Sequence, residues 1–86
     1  MSLPIENRTQ LRILKTLTEV PYGLNLRQLE LAIGSTHAAV TRNLEDLKQK
    51  GFIEEQRYGK RIRIFKLNTQ NPKTQLIIKL FEEENK

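Results

Sequence analysis

Five cations and no acid stand between Gln56 and Lys66: Arg57, Lys60, Arg61, Arg63 and Lys66. A local run of this kind binds polyanions, because each phosphate it neutralises releases condensed counterions. The chain carries 15 Lys+Arg against 10 Asp+Glu, so outside this run cations and acids cancel and the whole net charge of +5 belongs to it. A solvated charged hairpin is the plainer reading, and the local clustering favours the polyanion. A second set lies upstream. Thr36, His37, Ala38, Thr41 and Arg42 open a helical stretch with small and hydrogen-bonding side chains that suit close approach to base edges. Arg42 has the bidentate geometry that guanine accepts, and Ala38 suits a thymine methyl. Tyr58, within the basic run, offers a hydroxyl to a phosphate.

Chemistry of other kinds finds little support. The sequence has no cysteine and a single histidine, His37. That removes disulfides, cysteine nucleophiles and cysteine-based metal sites, and a lone histidine makes a poor metal ligand. No glycine-rich phosphate loop occurs. Glu54 and Glu55 would point to opposite faces of a strand, and Glu82, Glu83 and Glu84 lie at the negative end of the last helix, where fraying is expected. The expectation is therefore no enzyme, no metal, no cofactor and no small-molecule ligand. At 86 residues the chain has room for one small domain with a modest core. No apolar run approaches the ~20 residues that span a bilayer, and no signal-peptide pattern stands at the N-terminus. A cytoplasmic, nucleoid-associated protein is the expected setting.

The elements that must position these groups follow from periodicity and punctuation. After a short tail (residues 1–6, with Leu3 and Ile5), a helix is predicted over 7–19, with Asn7 and Gln10 at capping-box spacing and Leu11, Ile13, Leu14 and Leu17 inward. Pro21 and Gly23 break it. Asn25 and Gln28 repeat the cap spacing, and a short second helix runs to Ile33 with Leu26, Leu29 and Ile33 inward. A tight turn at Gly34–Ser35 leads to a third helix, Thr36 to Lys50, with Thr36 as N-cap and Val40, Leu44 and Leu47 buried. Two helices joined by such a turn read as a helix-turn-helix. Gly51 ends the helical period. Residues 52–57 and 61–67 then form a β-hairpin around Tyr58-Gly59-Lys60, with Ile53, Phe65 and Leu67 toward the helices and Ile62 and Ile64 on the other face. Pro72 opens a last helix whose stripe is Leu76, Ile77, Leu80 and Phe81.

In this order the elements resemble the winged helix-turn-helix domains of MarR- and ArsR-type prokaryotic transcription regulators. The resemblance covers residues 7–68. It is carried by Arg12-Ile13-Leu14, Leu29, Ile33-Gly34, Val40-Thr41-Arg42-Asn43-Leu44-Glu45-Asp46-Leu47, Lys50-Gly51-Phe52-Ile53, Arg61 and the Phe65–Leu67 pair. The long flanking dimerisation helices of larger MarR members and the cysteines of metal-sensing ArsR members are not in this stretch.

The resemblance implies an α+β, mostly helical single domain with a three-helix core and a two-stranded wing, to which Pro72 and the apolar stripe add a C-terminal helix at 72–84. It implies that the helix at 36–50 enters the major groove of double-stranded DNA. Thr36, His37, Ala38, Thr41 and Arg42 would stand at the bases, and Arg57, Tyr58, Lys60, Arg61 and Arg63 on the wing at minor groove or phosphates. Leu76, Ile77, Leu80 and Phe81 are the expected homodimer contact, giving a pseudo-palindromic site. Two other readings compete: a sequence-independent architectural DNA-binding protein, and a winged helix used as a protein-interaction module. RNA binding lacks an aromatic stacking surface.

Overall fold

A computed structural model describes residues 7–84; the apolar tail at 1–6 lies outside the described residues. The helices are α1 (Arg8–Thr18), α2 (Leu26–Ile33), α3 (His37–Gln49) and α4 (Pro72–Glu84), and the strands are β1 (Leu24–Asn25), β2 (Ile53–Tyr58) and β3 (Ile62–Leu67). This is the α+β architecture expected from the sequence. All three expected N-caps form: Asn7 accepts from the Gln10 N–H, Asn25 from Gln28 and Thr36 from Ala39. Each satisfies a first-turn donor that has no partner inside its helix. The capping box is complete only at Asn25.

At Gln10 the side chain has another task. Its Nε2 donates to Asp46 Oδ2 at 2.7 Å and to Asn43 Oδ1 at 3.2 Å. Asn7 Nδ2 joins the same Asn43 oxygen at 3.2 Å. Gln10 is buried, so its amide needs partners, and it finds them on α3. The second half of the predicted capping box thus becomes a tie between α1 and α3.

One core holds the helices to the sheet. Ile13, Leu14 and Leu17 of α1, Leu29 and Ile33 of α2, and Val40, Leu44 and Leu47 of α3 are buried with Phe52, Ile53, Phe65 and Ile77. Leu11 is only half-buried, at the margin. The hairpin gains a third strand that the sequence reading did not contain: β1 pairs antiparallel with β3, Leu24 opposite Phe65 and Asn25 opposite Ile64. The sheet order is β1-β3-β2. β1 is too short to show a period, and the chain is extended there because β3 offers it an edge.

Gly23 makes that pairing possible. Its φ is +92°, and a Cβ built there would stand 2.7 Å from Ile64 Cγ2 and 2.8 Å from the Phe65 carbonyl oxygen. The close approach also explains why Ile64 is half-covered while Ile62, beyond it, is 52% exposed. Gly23→Ala adds unfavourable backbone conformation to a clash with main chain, and should lower stability by about 2 kcal/mol or more in chemical denaturation. An unchanged midpoint would mean that β1 is not held against β3.

At the exit of α3, Gly51 takes φ +84° and its carbonyl accepts from Asn68 Nδ2 at 3.1 Å and Asn71 Nδ2 at 2.8 Å. The next carbonyl, of Phe52, accepts from the Asn68 N–H at 2.9 Å and the fully buried Thr74 hydroxyl at 3.3 Å. The start of α4 is therefore fastened to the end of α3 by polar groups, and Ile77 follows into the core.

Candidate nucleic-acid interface

Position along α3 decides which side chains face outward. With Val40, Leu44 and Leu47 inward, the far side carries Ala38, Arg42 and Gln49, all exposed, flanked by the half-buried Glu45. Arg42 has no carboxylate within ion-pair distance among the described residues, so its guanidinium is free. Gln49 was not singled out in the sequence, although its spacing of seven from Arg42 places it two turns along the same face. Thr36 is exposed and its hydroxyl caps the helix.

His37 sits toward α2, its Nδ1 2.9 Å from Glu30 Oε1, which bridges the turn between the two helices. Thr41 corrects the expectation that its hydroxyl faces bases: the residue is half-buried, and its Oγ1 is covered without a protein partner. Asn43 points at α1, and its Nδ2 donates back to the Ala39 carbonyl at 2.8 Å.

The wing is more neutralised than its sequence suggests. Glu55, on the face turned to the helices, has a side chain only 5% exposed. It accepts from Arg63 Nε at 2.9 Å and Nη2 at 3.2 Å, from Arg57 Nε at 2.9 Å and from Lys48 Nζ at 2.9 Å. Arg63 Nη2 also reaches Glu45 Oε1 at 3.3 Å, and Lys48 Nζ lies 3.5 Å from the same oxygen. The Arg63 guanidinium stands 5.1 Å from the centre of the Phe65 ring.

Lys48 and Glu45 belong to α3, and Glu55, Arg57 and Arg63 to the hairpin, so the network clamps the wing to the helix. The Arg63 guanidinium holds the Glu55 carboxyl down from 4.5 to about 2, with Lys48 and Arg57 acting in the same direction against the cost of burial. Glu55 in turn raises the Lys48 ammonium above its usual range. On the outer face Lys66 pairs with Glu54 at 3.4 Å.

Arg63, expected at a phosphate, has its guanidinium paired with Glu55 and Glu45. Arg57 is exposed but shares Glu55, and Tyr58 donates its hydroxyl to Gln56 Oε1 at 2.9 Å. Lys60 and Arg61 remain at the tip, exposed and without a carboxylate partner among the described residues. Arg27, in the first turn of α2, is another exposed cation that the sequence reading passed over.

The stripe on α4 divides. Ile77 is buried against the domain's own core and lines the floor of the groove between α1 and α4. Leu80 and Phe81 are half-buried and, with Leu11, line the same groove, of about 180 Å³. Leu76 is 50% exposed.

The MarR family profile matches residues 7–62, from the cap of α1 into β3. The chain belongs to the MarR family. A sequence comparison with curated proteins found no match. Among solved structures, FabT of Streptococcus pneumoniae, in complex with DNA, is similar with TM-score 0.77 at 22% identity, over 93% of this chain and 55% of that one. ZitR of Lactococcus lactis, a zinc-responsive MarR family member, gives 0.74 at 22% identity, over 91% and 52%. A homodimeric winged helix-turn-helix DNA-binding domain from Mycobacterium bovis, a possible ArsR-family regulator, gives 0.72 at 20%, over 92% and 68%. These likenesses establish the winged helix-turn-helix fold. The chain spans about half the length of FabT and ZitR.

Proposed function

We propose that this MarR-family domain is the DNA-reading part of a transcription regulator, with α3 in the major groove of double-stranded DNA and the hairpin tip on the neighbouring backbone. The observation that carries the reading is the distribution of free charge. The acids of α3 and the wing are paired with Lys48, Lys50, Arg57, Arg63 and Lys66, which leaves Arg42 without a carboxylate partner on the helix and Lys60 and Arg61 without one at the tip among the described residues. Arg42, with Ala38 and Gln49 on the same face, reads base edges; Lys60 and Arg61 position the protein without reading sequence. His37 stands at the edge of this face and steadies the turn through Glu30. The role sets the protein at the nucleoid.

The same reading includes a homodimer. The groove between α1 and α4, with Leu11, Leu80 and Phe81, and the neighbouring exposed Leu76 form an apolar face that a second copy covers. A two-fold pair presents two α3 helices about 34 Å apart to successive major grooves.

Replacing Lys60 and Arg61 together by alanine should weaken binding to every duplex alike. It should also reduce the slope of log affinity against log salt by up to about two, one for each lost phosphate contact. Equal affinity and equal slope for wild type and variant would refute the assignment of the wing.

A further inference from the structure

Arg27 and Arg61 come from distant parts of the sequence and line one cleft. It has a volume of about 260 Å³, and Asn25, Leu26, Ile62 and the Arg63 stem complete its wall. The cleft exists because β1 pairs with β3, which sets the first turn of α2 beside the returning strand of the wing. No acid lines it, and the first turn of α2 carries none. Both arginines are exposed, and neither has a carboxylate within ion-pair distance among the described residues. Asn25 is occupied by its exchange with Gln28, at 2.8 and 2.9 Å, and the Arg63 guanidinium by Glu55, so the free groups of the cleft are the two guanidiniums. Two such forks facing one space of this size, over an apolar wall of Leu26 and Ile62, suit a phosphodiester: charge and bidentate hydrogen bonds for the oxygens, carbon surface for the sugar.

We infer that this cleft seats one phosphate of the DNA strand, held jointly by Arg27 and Arg61, at a point separate from the base-reading face of α3. The inference rests on the DNA-binding reading above and adds Arg27 to it. Two functions follow for Arg61: it belongs to the tip, and it shares a phosphate with α2. Held between α2 and β3, that phosphate fixes how far the strand lies from the wing.

The test is the salt dependence of duplex binding for wild type, Arg27→Ala, Arg61→Ala and the double variant, with thermal unfolding as a control for folding. Arg27 is exposed and unpaired, so its variant should unfold with the wild type. The expected result is a loss of roughly fivefold to tenfold for either single change on all sequences, with the slope reduced by up to about one when both are removed. The double variant should lose clearly less than the product of the two, because both arginines hold the same phosphate.

If wild type binds DNA and Arg27→Ala matches it in affinity and slope, the seat is overturned and the DNA-binding reading stands. Losses that simply multiply would overturn the shared phosphate. Titration with inorganic phosphate, followed by amide NMR, separates the remaining cases. If wild type binds no DNA and phosphate shifts the amides of Arg27 and Arg61, the site takes free phosphate, and both the DNA form of the inference and the DNA-binding reading fall. If neither ligand has any effect, both fall as well.

Discussion

Glu55→Gln should lower folding stability on the order of 2 kcal/mol at neutral pH, an effect out of scale for a residue on a wing. The substitution leaves Arg63, Lys48 and Arg57 around a neutral amide. Breaking a fully buried pair costs more than this; here the cations still reach water, which reduces the penalty.

The sign of the accompanying pH dependence is fixed. The folded carboxyl titrates near 2 and the unfolded one near its usual 4.5. On acidification the unfolded chain takes up the proton first. The contribution is therefore whole above about pH 4.5 and is lost as pH falls toward 2, and the variant should lack that portion of the acid loss. Urea titrations of both proteins across pH 2 to 7 give the comparison. Parallel curves would show that the clamp contributes nothing. Since Glu55 joins α3 to the hairpin, the variant should also lose DNA affinity at neutral pH, where the fold survives, because the tip is no longer held at a set distance from the helix.

Arg42→Ala should act differently. Arg42 has no carboxylate partner among the described residues, so stability should move by no more than a few tenths of a kcal/mol. Discrimination between the preferred site and random duplex should fall by about 1–3 kcal/mol at the base pair it contacts, with random-sequence binding reduced much less. Competition binding with single-base variants of the preferred site measures this. Equal losses on all sequences would make Arg42 another phosphate contact and would leave base reading without its principal residue.

Much of this was legible in the sequence for a physical reason: the signals were local. Asn25 with Gln28, Thr36 ahead of Val40, the break at Pro21–Gly23 and the exit at Gly51 each act within a few residues, and each element stands where those signals put it. What stayed hidden depends on groups brought together from afar. β1 exists only because Phe65 and Ile64 offer an edge to Leu24 and Asn25. Gln10 has the spacing of a cap partner, and the buried surface of α3 recruits it instead. The alternation along β3 put Arg63 on one face, but only the pairing of β2 with β3 and the packing of α3 set Glu55, Lys48 and Glu45 beside it. Ile77 looked equivalent to Leu76 and Phe81 on a helix with apolar residues on several sides; the attachment of α4 through Asn71 and Thr74 turned it inward.

If α3 reads base edges and the wing positions the domain, sequence preference must survive salt that weakens the wing's contacts. Selection from a pool of random duplexes at two salt concentrations tests it most directly, with the bound fraction sequenced. The account predicts enrichment of an inverted repeat whose half-sites lie one helical turn apart, retained at the higher salt while binding to the rest of the pool collapses. Salt-sensitive capture with no sequence enriched would contradict it and make the domain a general DNA-coating protein. Absence of capture at both salts would remove DNA from the account altogether.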